Sequence, residues 1–596
     1  MAELTAENAT RPARPVRTGI VRRWLADWGV ALPLIVVVLV ALVAPIGMLL
    51  ARSFLPVDGG VGFSAWERVL GQSINQRAIV TSLQLGLTCA TISVIVGTPI
   101  AWLISRMVTG NRAAWLGLLN VAAHFGGIGL AFAYIATLGS LGMVTLLLRD
   151  LGAPFTPPAR DSFAALVIAY EHANIPLYVL LLVPAMAMLR DEWAEAAAAS
   201  SATRWQFWRR IGLPVLAPFI GAGFVLAFTW SIGIFGIAYA LAGQSAALPI
   251  QLITLQIGQA LSDDAVRGPE RAAVLSVLLI TVAIVALLIY RRLLSRGTRW
   301  LTGGSLAVDP AQRPRRASAG KSRVAAIVLF GAFAIYLCLP IIAVALYSVA
   351  TRWTANVLPD GYTLDHWIET FSSPRVLSAF TTSLVTGIWT TVLVLLLTVP
   401  AVYWARTRNP RIRPVLESAA VIPFALPFVV IGFALLHFSG LVMPRLQGTY
   451  PLLVLAYVAV SFPFAYWAID NAMAAADVRR LSDVAAACGA SQWQTIRRVI
   501  LPNIRTGITT AAILVFALAI GEFALVKVLA SSVVTIPVWS ASAMNATGGS
   551  IAPLAVVTTV VFMLLFVLSA GVAYVNRGRL TQQLPGIGEG GVTGGQ

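Results

Sequence analysis

Four ionisable side chains sit inside long apolar runs of this chain. Glu171 and His172 are adjacent, and Glu522 and Lys527 lie five residues apart. A charge held at mid-bilayer costs roughly 2.5–3.5 kcal/mol on insertion scales, so each should face protein or a water-filled path. Two roles fit: lining or steadying a translocation path, or satisfying neighbouring helices through hydrogen bonds. Five residues turn a helix by about 140°, so Glu522 and Lys527 need not pair with each other. Enzymatic chemistry finds little support. The sequence has no GxxxxGK[ST] phosphate loop, no HExxH, no paired-cysteine motif and no nucleophile elbow. Cys89, Cys338 and Cys488 have neither ligand spacing nor a disulfide framework. We therefore expect no catalytic residue and no metal site in this chain.

Two polar islands stand between the apolar runs. The second, Asp483 to Pro502, reads DVAAACGASQWQTIRRVILP. Gly489 breaks it; Trp493, Ile496 and Ile500 then recur at helical spacing, and Pro502 closes it. This predicts two short helices joined by a turn, lying outside a bilayer. The first, Glu195 to Pro214, reads EAAAASSATRWQFWRRIGLP. At a shift of 288, positions 201–214 agree with 489–502 at seven of fourteen residues. A repeat this long is no solenoid; it implies two similar halves, each with an exposed helical loop in the same place.

Both islands resemble the EAA loop of the membrane-spanning subunits of ATP-binding-cassette importers. Glu195, Ala196 and Ala197 match its opening, and Leu213 and Pro214 its end. Ser201 stands where the pattern has glycine, which leaves the sharp turn of this copy open. The second copy keeps Ala485, Gly489, Leu501 and Pro502, with Asp483 in place of glutamate. Glu195 and Asp483 are expected at the start of their short helices, where the helix dipole favours a carboxylate. The resemblance implies that these loops dock into a cytosolic ATPase and couple ATP hydrolysis to the gate. ATP and Mg would then bind the partner ATPase, with no cofactor on this chain. The segment Gly521-Glu522-Phe523 is also similar to one found in permeases for oxyanions, thiamine, iron and polyamines.

Composition sets the class. Of 596 residues, 58% are hydrophobic and only 11% charged, against about 25% charged in soluble proteins. This is a polytopic membrane protein. A net charge of +18 fits arginines gathered in cytoplasmic loops better than it fits nucleic acid. Twelve spans are expected, at about 30–50, 79–104, 115–138, 163–189, 215–241 and 272–290, then 324–349, 378–404, 415–438, 450–472, 507–530 and 553–575. Residues 1–29 form an N-terminal tail, 291–323 a basic linker and 577–596 a polar tail. With both termini inside, 31 of the 42 Lys and Arg fall on the cytosolic side, together with both islands. Thr81-Ser82-Leu83 and Thr382-Ser383-Leu384 open the second span of each half. Outer loops 51–77, 243–271 and 350–377 carry Asp58, Asp263, Asp264, Asp360 and Asp365, any of which could touch a binding protein.

The expected fold is all-α, a polytopic membrane protein of about twelve transmembrane helices in two parallel six-helix domains, 30–290 and 324–576. It resembles the fused permeases of ferric-iron and thiamine importers, of the type I importer architecture. Single-domain relatives serve polyamines, phosphonates, sulfate and molybdate. The resemblance implies two copies of a cytosolic ATPase as partners. It also implies a periplasmic or lipid-anchored solute-binding protein and a place in the bacterial inner membrane. A secondary transporter built from two six-span repeats is the rival reading. It leaves the twin islands unexplained.

Overall fold

A computed structural model describes residues 27–575, apart from 243–249, 302–320, 546–550, 354–355 and positions 108, 125, 154, 190, 265 and 531. The expected tails and the middle of the basic linker lie outside the described residues. What is described is all-α. Ten helices are long and apolar enough to cross a membrane, and twelve spans result when two bent pairs each count once. In chain order, spans 1 to 6 centre on Leu32–Arg52, Ser73–Ser105, Gly127–Asp150 preceded by helix Thr109–His124, Phe163–Ala187, Arg204–Gly233 and Gly268–Gly297. Spans 7 to 12 centre on Ile327–Val349, Pro374–Thr407, Ile412–Pro423 with Phe428–Val442, Tyr450–Ala475, Arg505–Gly521 and Ala552–Gly571. The apolar runs form these helices because only a helix satisfies its own backbone in lipid.

The two halves repeat at the level of single contacts. Gly86 of span 2 faces Phe228 and Ile232 of span 5, so close that a Cβ would lie 2.8 Å from Ile232. Gly387 of span 8 faces Phe516 and Ile520 of span 11, with the nearest ring atoms 3.1 Å away. Small residues at these crossings let the helix backbones approach. The Ser82 hydroxyl accepts the backbone N–H of Ile253 at 2.9 Å, and the Ser383 hydroxyl accepts that of Ile536 at 2.8 Å. Each serine therefore satisfies a first-turn donor of a helix in the following loop, Ile253–Asp263 and Ile536–Asn545. This is what the repeated Thr-Ser-Leu triplets do.

Four expected spans are not continuous helices. The third breaks at Gly126 and Gly127, the latter at φ +67°, a left-handed conformation that glycine adopts without a Cβ penalty. The fifth, expected to run to 241, stops at Gly233 and resumes as Gly236–Ala242. The eleventh, expected to run to 530, stops at Gly521 and resumes as Ala524–Leu529. The ninth turns by 105° between Pro423 and Phe428. Apolarity alone gives no sign of such breaks, because both sides of each are equally apolar. The expected outer loops also hold helices, Ser64–Gly71 and Asp365–Ser372 among them.

The opening span of each half packs on the opposite half. Span 1 lies against spans 9 and 10, with Leu34 and Leu42 in the same core as Tyr457 and Phe433. At its start the Asp27 carbonyl accepts from Trp404 Nε1 at 3.0 Å. Span 7 returns the exchange: the Tyr336 hydroxyl donates to the Ile168 carbonyl of span 4 at 3.1 Å. The halves are thus interlocked rather than merely adjacent.

Candidate functional site

The islands fold alike from the same local signals. In the first, helix Asp191–Ala199 ends at Ser200 and Ser201, and Ser201 sits at φ +58°. In the second, helix Val478–Ala487 ends before Gly489, at φ +78°. The turn left open for Ser201 is therefore the same left-handed turn. Serine takes it at some strain where glycine takes it freely. A capping box follows in both copies: Thr203 with Gln206, and Ser491 with Gln494. That explains the shared glutamine. Pro214 and Pro502 then offer no N–H to the carbonyls four residues back, at Arg210 and Arg498. In each copy the preceding turn widens to a π-helix, Trp208–Gly212 and Thr495–Ile500.

Glu195 and Asp483 lie in the middle of their helices, not at the start as the sequence reading placed them. The first-turn acids of the first copy are Asp191 and Glu192, and Asp477 caps the second. A helix-dipole role for Glu195 and Asp483 is lost with that shift, since the effect fades within one turn. Glu195 and Ala196 are exposed and Ala197 half-buried; Asp483 is exposed and Ala485 buried. Leu213 and Pro214 lie in span 5 without a bend, whereas the stretch carrying Leu501 and Pro502 meets span 11 at 74°. Each island is tied to the same neighbour in its half. Arg106 at the end of span 2 pairs with Asp191, and Tyr403 of span 8 meets Ser482 at 3.1 Å. Two tryptophans project from this surface at matching places, Trp205 at 68% and Trp493 at 66% exposed. Helix Val478–Ala487 of the second island and its cap border an open concavity of about 450 Å³ lined by Asp477, Arg479, Arg480, Asp483, Val484 and Ala487.

The helix breaks converge between the halves. Phe235 and Phe523, equivalent at the shift of 288, stack with ring centroids 5.8 Å apart and planes 13° apart. A Cβ on Gly236 would lie 3.1 Å from the Cα of Gly127, and one on Gly233 would lie 3.2 Å from Pro427. Breaks of spans 3, 5, 9 and 11 thus meet around two stacked phenylalanines. Two tyrosines hold the carbonyls that the breaks release. Tyr170 donates to the Ile234 carbonyl at 3.2 Å, and Tyr457 to the Glu522 carbonyl at 3.4 Å. Sequence reasoning missed this pair. The signal was there at a shift of 287, where Tyr170 and Pro176 match Tyr457 and Pro463.

The four ionisable residues divide. Glu171 and His172 are buried in the first half; Ser93 donates to Glu171 at 2.8 Å, and His172 packs on Tyr336. Glu522 lies at the break of span 11, where its carboxylate accepts the N–H of Leu525 at 2.9 Å. Lys527 lies one turn beyond, with Nζ 5.6 Å from the centre of the Tyr239 ring. Glu522 and Lys527 do not pair. At the far end from the islands, Arg68 bridges Asp58 at 2.6 Å and the buried Glu270 at 2.9 Å. Asp264 accepts the N–H groups of Val266 and Arg267, which hold its carboxyl below the usual aspartate range. Asp58 and Asp264 thus have structural work in their own loops. The Asp263 side chain lies outside what is described. Among the described residues no cluster of His, Cys, Asp and Glu could hold a metal ion.

Residues 398–580, which include the second island, match the family model described as "Binding-protein-dependent transport system inner membrane component". The molybdenum transport system permease protein ModB of Azotobacter vinelandii is 36% identical over 156 residues, 24% of this chain and 68% of that protein. The chain belongs to this permease family. Two further relatives differ in how much of the chain they cover. The 2-aminoethylphosphonate permease PhnV of Salmonella typhi, named as putative, is 27% identical over 222 residues, 37% of this chain and 82% of its own. The thiamine permease ThiP of Escherichia coli is 25% identical over 471 residues, 77% of this chain and 82% of its own. The first two thus cover less than half of this chain, and the third covers most of it. This member is an all-α, multi-pass membrane subunit of an ATP-binding-cassette importer, of the fused two-domain type.

Proposed function

We propose that residues 30–290 and 324–576 are two permease domains that together supply the whole translocation pathway of the importer. Each island docks one copy of a cytosolic ATPase, which binds ATP and Mg. A periplasmic or lipid-anchored binding protein delivers solute at the opposite end. The chain then lies in the bacterial inner membrane with both termini cytoplasmic. The observation that carries this reading is the convergence of four helix breaks on Phe235 and Phe523, with two matching islands at one end. Closure of the ATPase dimer would move the islands, and rigid spans 5 and 11 would carry that motion to the breaks. A secondary transporter gives the islands nothing to do. The solute falls among the classes served by such permeases: ferric iron, thiamine, polyamines, phosphonates or molybdate.

The exposed tryptophans supply the test. Large aromatic side chains dominate interface energies, and losing one costs roughly 2 kcal/mol or more. Trp205→Ala with Trp493→Ala should abolish co-purification of the ATPase and stimulation by loaded binding protein. Full retention of both would remove the islands from the docking surface. Topology is checked separately in a Cys488→Ser background, since Cys488 is exposed. Cysteines placed near Asp264 and Asp360 should react with an impermeant reagent outside intact cells, and those near Arg204 and Arg315 should not. The opposite pattern would invert the assignment.

A further inference from the structure

We propose that Lys527 is the binding group of a small-oxyanion site at the outer face of the gate. This rests on the permease reading above and narrows its solute to an anion. Lys527 and Tyr239 border a cavity of about 60 Å³ that is also lined by Phe523, Val538, Ala541, Ser542 and Asn545. Tyr239 comes from the short helix after the break of span 5, and Lys527 from the matching helix after span 11. Val538, Ala541, Ser542 and Asn545 belong to helix Ile536–Asn545, which Ser383 ties to span 8. The cavity therefore lies directly beyond the stacked Phe235 and Phe523, on the side away from the islands. A solute moving inward would reach it just before the gate.

Among the described residues no carboxylate pairs with the Lys527 ammonium. The Lys527 ammonium meets the face of Tyr239, and no carboxylate lines the cavity. The nearest acid in sequence, Glu522, turns back onto the N–H of Leu525. A half-buried ammonium of this kind repels a cation and lowers the cost of desolvating an anion. Ser542 and Asn545 add a hydroxyl and an amide, which now donate to Val538 and Ala541 of their own helix at 3.0 and 2.9 Å. Either can rotate to a ligand and leave only an ordinary helical carbonyl behind. The volume suits a compact tetrahedral oxyanion and excludes a solute with two rings. Lysine is used sparingly here, with Lys321 the only other in the chain. A compact ammonium on a flexible stem suits a small cavity better than a planar guanidinium.

The test uses the purified full chain in detergent, without ATPase. Equilibrium dialysis is run with sodium molybdate, sodium sulfate and methylphosphonate, against thiamine and putrescine as cationic arms, at equal ionic strength. At least one oxyanion should bind saturably, and Lys527→Gln should weaken it about tenfold, the loss of one charged hydrogen bond. Lys527→Arg should retain part of the affinity. The unfolding midpoint of each variant is measured alongside; should Lys527→Gln not fold, Ser542→Ala with Asn545→Ala must weaken the same anion. The proposal is overturned if no oxyanion binds, if a cationic solute binds as well, or if the folded variant keeps wild-type affinity. Coupling to the ATPase is a separate measurement. Its loss would sink the importer reading and leave anion binding standing, whereas failure to bind anions would leave coupling intact.

Discussion

Gly489→Val should cut binding-protein-stimulated ATPase activity and solute uptake together, by about tenfold or more. The reason is backbone strain rather than crowding. Gly489 has φ +78°, and nothing lies within 4 Å of where its Cβ would be. A β-branched residue forced into that region costs of order 1–3 kcal/mol, and the turn between the two island helices would reshape to avoid it. Ser201 occupies the same region at φ +58°, so Ser201→Val should do comparable harm in the first island. This reverses what the sequence pattern suggests, since a side chain at 201 reads as tolerance. Ser201→Gly should be neutral or better, and Gly489→Asn should be mild, because asparagine visits the left-handed region readily. The measurements are stimulated ATPase activity and uptake in reconstituted vesicles, with ATPase co-purification alongside. Full activity in Gly489→Val would remove the second island as a joint.

The sequence revealed what depends on composition and on exact repetition. Twelve apolar runs became twelve spans because lipid leaves a helix no alternative. The islands were visible because Trp205, Gln206, Arg209 and Arg210 recur at one fixed shift. The gate was not. Its parts repeat at different shifts, 301 for Ser82 and Ser383, 287 for Tyr170 and Tyr457, 288 for Phe235 and Phe523. A single register therefore aligns only one piece at a time. The breaks themselves were silent, because a released carbonyl is satisfied by a distant tyrosine rather than by a local motif. Of the glycines at the breaks, Gly127 takes a positive φ while Gly236 and Gly521 do not. The placement of Glu195 and Asp483 failed for a related reason. The helices begin upstream, at Asp191 and Val478, where no apolar period marks a start.

Glu522 separates the two roles open to an intramembrane acid. Its carboxylate accepts the N–H of Leu525 at both oxygens, 3.1 and 2.9 Å, at the start of the short helix Ala524–Leu529. Ile234 holds the matching position in the first half, where helix Gly236–Ala242 forms without a carboxylate. Geometry at the break therefore does not require the acid, and Glu522→Ile should fold and keep its ATPase. What it loses is a helix cap, worth about 0.5–2 kcal/mol. If the gate needs this helix ordered, uptake should fall roughly 5- to 30-fold, the ratio that one or two kcal/mol commands. Glu522→Gln keeps an acceptor oxygen toward Leu525 and removes only the charge, so it should retain most uptake. Uptake and ATPase co-purification are measured for both variants, with the unfolding midpoint as a check on folding. Were the glutamine variant to fold normally, hold its ATPase and transport as poorly as the isoleucine variant, the charge rather than the cap would be the essential feature. Glu522 would then belong to the solute path beside Lys527, and an acid there would argue against an anionic solute.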